Sequence, residues 1–165
     1  MTTPFSLDEI ADRLAIYDLY ARYIHATDDH DYETLDEQVF LPDTMFDFTS
    51  VGHIKGDWKN VIRDDFIRNG KVFDCDFHLC GSIRIDFEPG HQAARVKSKT
   101  LNASGIRDAG GKVNLLQVHG GYSDVLVKTP AGWRIQSRIW NHGWTTAGHQ
   151  RVEGSGGLLD SELRN

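Results

Sequence analysis

Tyr23, Asp28 and His78 are the residues whose types and spacing promise chemistry. A carboxylate that orients an imidazole makes a general base, suited to removing a proton beside a carbonyl or opposite a leaving group. A tyrosine hydroxyl nearby polarises the carbonyl or protonates a departing oxygen. Tyr23 and Asp28 stand five residues apart in Arg22-Tyr23-Ile24-His25-Ala26-Thr27-Asp28-Asp29-His30-Asp31-Tyr32, the end of a long helical pattern. Five helical residues turn through roughly 140° net and rise about 7.5 Å, so a last turn that loosens lets both groups point into one cavity. An acid at a helix C-terminus faces the wrong end of the macrodipole and needs a donor. His78, in Cys75-Asp76-Phe77-His78-Leu79-Cys80-Gly81, supplies one if the two residues meet. Each also has a plainer reading: Asp ends helices, a strand histidine packs in a core, and Tyr23 lies at core spacing.

Further candidates for the walls of a substrate pocket are Phe48, His119, Tyr122, Trp140, His142 and Trp144. The aromatic ones suit a ring-shaped apolar substrate. His119 and Tyr122 are three apart on one strand and face opposite ways unless Gly120-Gly121 forms a bulge. Arg138 reads as half of a structural ion pair. Eight histidines are present, but no H-x-x-x-H or H-E-x-x-H pair, so no metal is expected. No glycine-rich phosphate loop runs from a strand into a helix and no G-x-S-x-G elbow occurs, so no cofactor and no covalent nucleophile are expected either.

The elements that must position these residues follow from periodicity. Ser6 and Glu9 form a capping box, with Phe5 and Ile10 as its hydrophobic staple. Ile10, Leu14, Tyr17, Ala21 and Ile24 recur at helical spacing, widened by Tyr20 and Tyr23, and predict a helix from about residue 7 to about residue 27. A short helix follows around Tyr32 to Val39, then a turn at Pro42-Asp43. Thr44 to Val51 reads as a strand. Asp57 to Asn69 reads as a third helix with Trp58, Val61, Ile62, Phe66 and Ile67 on one side and Gly70 as its C-terminal glycine. Four strands come next, Phe77 to Phe87, Ala93 to Gly105, Val113 to Lys128 and Gly132 to Trp144. Short turns such as Glu88-Pro89-Gly90 and Asp108-Ala109-Gly110-Gly111 link them. Such links imply an antiparallel meander. A sheet this long curls around the first helix, giving an α+β cone with a pocket at its open end.

Composition narrows the rest. The length suits one domain, residues 1–150, followed by a Gly/Ser-rich polar tail, 151–165, either mobile or covering the pocket mouth. A net charge of −6 without a basic block argues against nucleic acid and anionic membrane as partners. No apolar run approaches the ~20 residues of a membrane span, and the N-terminus lacks the regions of a signal peptide, which predicts a cytoplasmic protein. Cys75 and Cys80 fall on opposite faces of a strand and read as two buried thiols rather than a disulfide.

Three stretches carry a family resemblance. They are Ile16-Tyr17-Asp18-Leu19-Tyr20-Ala21-Arg22-Tyr23 with Asp28-x-x-Asp31-Tyr32 and Leu35; His78-x-x-Gly81 opening a strand; and Gly121-Tyr122-Ser123-Asp124 with Gly132-Trp133-Arg134-Ile135, Arg138 and Trp144. Together they resemble the SnoaL-like branch of the nuclear-transport-factor-2-like superfamily, over about residues 10 to 145. The resemblance implies the cone-shaped α+β barrel and a dimer or trimer formed through the outer face of its sheet. Scytalone dehydratase, hexachlorocyclohexane dehydrochlorinase and bile acid 7α-dehydratase are similar in having residues that match Asp28 and His78, and the last also matches Tyr23. Their other polar positions differ. A second strand histidine is replaced here by Ala103, a strand aspartate by Leu101 or Asn102, and a last-strand arginine falls near His142. The resemblance thus implies a cofactor-independent lyase of the dehydratase type, or an isomerase or cyclase. Its substrate would be a hydrophobic cyclic small molecule, with Asp28, His78 and Tyr23 catalytic. The alternative is a non-catalytic binding module or structural partner of the same fold, like the small subunit of ring-hydroxylating oxygenases.

Overall fold

The computed structural model describes residues 5–152. Helix α1 spans Leu7–Asp28, and the Ser6 side chain accepts a hydrogen bond from the Glu9 N–H at its start. The staple does not form. Phe5 and Ile10 are exposed, and the Arg13 guanidinium lies over the Phe5 ring instead. The buried face is also rotated from the expected one. It carries Ile16, Leu19, Tyr20, Tyr23 and Ala26, while Leu14 and Tyr17 face outward. The chain is apolar around much of this helix, so the sheet that packs against it decides which stripe is covered.

Helix α2, Tyr32–Thr34, runs into a wider π turn, Leu35–Val39. Strand β1 is Phe40–Asp47, four residues earlier than its sequence suggests. Pro42-Asp43 is not a turn between elements but lies within β1, where the pairing with the last strand is irregular. Thr44 Oγ1 accepts from the Leu41 N–H and donates to the Ile135 carbonyl, closing an irregularity in the pairing of β1 with the last strand. Residues 49–51 form a 3-10 turn rather than strand. A short strand β2, Lys55–Asp57, pairs antiparallel with β1, where the sequence pattern predicts no strand. The expected third helix is divided into a π turn, Trp58–Ile62, capped by Asp57, and helix α3, Arg63–Asn69. Gly70 has ordinary helical backbone angles; its lack of a side chain serves instead to let Tyr32 and His30 approach.

Strands β3 (Cys75–Phe87), β4 (Ala93–Arg107), β5 (Val113–Thr129) and β6 (Gly132–Val152) form the antiparallel meander. The sheet order is β2-β1-β6-β5-β4-β3. It is mixed rather than wholly antiparallel, because β1 runs parallel to β6. The sheet curls around α1 without closing, leaving β2 and β3 as its edges. Arg13 and Tyr17 tie α1 to the β3 carbonyls of Ile85 and Ile83. The Trp133 indole N–H of β6 donates to Asp12 at 3.0 Å.

Two kinds of irregularity set which side chains face inward. In β3, Ser82 and Ile83 together oppose Ser98 alone, and Ser82 has φ of 49°. The alternation therefore changes phase: Asp76, His78 and Cys80 point inward before the bulge, and Ile83, Ile85 and Phe87 after it. In β6, Gln136 is an extra residue between the pairs Leu126–Ile135 and Val125–Ser137, so Trp133 and Ile135 give way to Arg138 and Trp140 as inward residues. Both cysteines are free, but Cys75 is exposed rather than buried. Among the described residues no helix is long and apolar enough to cross a membrane. The tail expected over 151–165 lies outside the described residues beyond Val152.

Candidate active site

Asp28 is the last residue of α1, and His78 projects inward from β3. Asp28 Oδ1 is 2.5 Å from His78 Nδ1, and Asp28 Oδ2 accepts from the His78 backbone N–H at 3.0 Å. The strand thus supplies the donors that an acid at a helix C-terminus requires. With the carboxylate ionised, Nδ1 carries the ring proton and Nε2 keeps its lone pair. His78 lines a cavity of about 340 Å³; Asp28 stands behind it.

Tyr23 lines the same cavity, and its hydroxyl lies 3.1 Å from that of Tyr122. Both rings rest on Arg138, whose guanidinium carbon is 4.1 Å from the Tyr23 centroid and 3.9 Å from that of Tyr122. Arg138 is fully buried and is held by Asp124, which also accepts from the Tyr20 hydroxyl. Burial opposes charge on the guanidinium, but Asp124, with Tyr23 and Tyr122 beside it, more than offsets burial and the pKa is pushed up. Burial, followed by the neighbouring Tyr23, raises the Tyr122 phenol well above its ordinary range despite Arg138. Tyr122 is therefore a neutral hydrogen-bonding group across the physiological range.

Phe48, Tyr122 and Trp140 also line the cavity, with Phe66, Phe73, Leu116 and Val118 extending its apolar wall. The other three expected wall residues do not. His119 has the opposite parity to Tyr122 and stacks on Trp144, with ring centroids 3.8 Å apart and away from the cavity. The bulge beside it belongs to β6, where Gly143 is the extra residue, so β5 keeps its alternation. Gly120 and Gly121 serve close approach instead: a side chain at either would collide with the Asn141 or Ser98 carbonyl. His142 is exposed, with Nε2 2.9 Å from Thr145 Oγ1, and Trp144 is half exposed.

Two further histidine–aspartate pairs, not expected from the sequence, flank the cavity. His30 Nε2 is 3.5 Å from Asp76 Oδ2, and His53 Nδ1 is 3.5 Å from Asp65 Oδ2. All four residues line the cavity, as do Asn102 and Ser104 of β4. The signal for the first pair was present. Asp76 precedes His78 by two on a strand, and His30 follows Asp28 by two at the helix end, so the two pairs lie side by side. Among the described residues, no group of three or more His, Cys, Asp or Glu side chains stands close enough to hold a metal ion.

The sequence profile of the SnoaL-like domain family matches residues 8–139. The chain belongs to this family. An uncharacterized protein of Mycobacterium tuberculosis (strain ATCC 25618 / H37Rv) is 32% identical over 138 residues, covering 81% of this chain and 87% of the relative. Among solved structures, a Novosphingobium aromaticivorans protein provisionally described as a scytalone dehydratase superposes with a TM-score of 0.73 at 20% identity, over 93% of this chain and 97% of that one. A hexachlorocyclohexane dehydrochlorinase from Novosphingobium barchaimii LL02 superposes with a TM-score of 0.69 at 17% identity, over 90% and 94% of the two chains. At these identities the likeness shows a shared fold, the α+β cone.

Proposed function

We propose that this SnoaL-like protein is a cofactor-independent lyase of the dehydratase type, acting on a hydrophobic cyclic small molecule. The observation that carries the reading is the Asp28–His78 pair, with the imidazole on the wall of an apolar cavity and the carboxylate behind it. In this reading His78 Nε2 takes a proton from a ring carbon next to a carbonyl. Asp28 holds the reactive tautomer and stabilises the imidazolium that forms. The C–H electrons become a C=C bond as the bond to the leaving oxygen breaks, and that oxygen departs as water after gaining a proton.

Tyr23 and Tyr122 together own two O–H donors and spend one on their mutual hydrogen bond. The other is free for the substrate carbonyl or the leaving oxygen. The fixed charge of Arg138 beneath both rings favours negative charge developing at that oxygen. Isomerisation and cyclisation begin with the same proton abstraction and remain the next choice for this apparatus. The two relatives of similar fold named above, a provisional dehydratase and a dehydrochlorinase, support the elimination class.

Solvent exchange tests the reading directly. 2-Tetralone, a bicyclic ketone with acidic protons beside its carbonyl, is incubated with the protein in D₂O and followed by proton NMR. The expected result is deuterium uptake well above the buffer rate, lost in His78→Ala. Uptake that persists unchanged in His78→Ala, or no uptake above buffer, refutes His78 as the base.

A further inference from the structure

We propose that Asp76, paired with His30, is a subsite that accepts a hydrogen bond from a hydroxyl group on the ligand. The ligand class is therefore a hydroxylated, rather than purely hydrocarbon, ring. The inference deepens the reading of the cavity as a small-molecule site and rests on it.

The Asp76 side chain is only 9% exposed, and one of its oxygens, Oδ2, faces His30 Nε2 at 3.5 Å. The other, Oδ1, is buried and has no hydrogen-bond partner among the described residues. A buried carboxylate oxygen without a donor is costly, and because Asp76 lines the cavity, a ligand that brings a donor against its carboxylate would relieve that cost. The neighbouring geometry fits. In the β3–β4 ladder Asp76 opposes Ser104 and His78 opposes Asn102, so four polar side chains form a compact patch on the concave face. Asn102 Oδ1 is likewise buried and unpartnered among the described residues. The patch thus offers acceptors beside the base, on a wall that is otherwise largely apolar.

The position of His30 is built rather than incidental. Its backbone sits in the left-handed region, φ 55°, which a non-glycine residue adopts only when its surroundings hold it there. Its ring stacks parallel to Tyr32, with 2° between the planes. A side chain on Gly70 would press on both, 2.6 Å from the Tyr32 hydroxyl and 3.1 Å from His30 Nε2. These constraints fix the imidazole against Oδ2 and leave Oδ1 as the free acceptor.

The test compares two probes of nearly equal size, 2-naphthol and 2-methoxynaphthalene, by titration calorimetry on the intact chain. The wild type should prefer the naphthol by about tenfold or more, the range for a hydrogen bond to a charged acceptor. Asp76→Asn, which keeps the shape and loses the charge, should cut that preference several-fold, and Asp76→Ala should abolish it. Circular dichroism establishes that both variants are folded; if the alanine variant is not, the isosteric one decides. His78→Ala should keep the preference, which separates this subsite from the base. Equal affinities in the wild type would mean that water, not ligand, satisfies Asp76. That result overturns the proposal while leaving the exchange test of His78 standing. A preference retained in both Asp76 variants, or no binding of either probe, overturns it too.

Discussion

Asp28 grips His78 at two points, the ring through Oδ1 and the backbone N–H through Oδ2. Orientation of the imidazole and position of its strand therefore depend on one carboxylate. Asp28→Asn keeps the shape but removes the charge and places a donor where an acceptor stood. The expected order of damage to turnover is His78→Ala at least as severe as Asp28→Asn, and both worse than Tyr23→Phe. For Asp28→Asn the loss in kcat should be on the order of 10²–10⁴. Tyr23→Phe should cost less, since Tyr122 remains to donate. Steady-state kinetics on folded variants measures the order; turnover of His78→Ala within a few-fold of wild type would move the chemistry elsewhere.

Arg138 and Asp124 are both completely buried. Removing one partner leaves an uncompensated charge in the core, so Asp124→Asn should lower unfolding stability by about 3–5 kcal/mol. Replacing both, as in Asp124→Leu with Arg138→Met, should cost less than the single change. Urea unfolding of the three proteins checks this, and a double variant less stable than Asp124→Asn would contradict it.

Asp12 links α1 to Lys128 and Trp133. Burial alone would raise its pKa, but the hydrogen bonds from Lys128 and Trp133 and the charge of Lys128 prevail and lower it. A depressed folded-state value adds stability above the unfolded value of about 4, and that stability is lost as the pH falls through the folded value. Asp12→Asn should therefore melt several degrees below the wild type at pH 7, with the gap narrowing below about pH 4. A gap that stays constant from pH 7 to pH 3 would show that the charge of Asp12 contributes nothing.

The spacing of the histidines predicts activity independent of metal. Protein purified without added metal should contain no stoichiometric zinc, iron or manganese, and EDTA should leave turnover unchanged. Loss with chelator and recovery with a single metal would reverse the assignment.

The sequence was most legible where local pattern and chemistry agree. The strands of the meander follow from their turns, and the meeting of Asp28 with His78 from an acid at a helix end that needs a donor. It was least legible where long-range pairing decides. Nothing local to Phe40–Asp47 announces that it will run parallel to β6. The stripes of α1 through Leu14 and Tyr17 and through Ile16, Tyr20 and Tyr23 are both apolar, and only the sheet chooses between them. The glycines beside His119 suggest a bulge in β5, but the extra residue belongs to the facing strand, which turns His119 away from the cavity. Strand parity alone places Asp76 on the same face as His78.

The bulge at Ser82 gives β3 two reading frames, one for each half of the cone. Upstream of it the inward frame spells polar groups, Asp76 and His78; downstream it spells Ile83, Ile85 and Phe87. Deleting Ser82 would merge the frames. Whichever half stayed anchored, the other would be turned inside out, with either the imidazole sent to the outer surface or Ile85 expelled from the core. Substitutions in one half leave the sidedness of the other untouched. The half of β3 that carries the imidazole and the half that packs on α1 are thus set facing inward independently of each other.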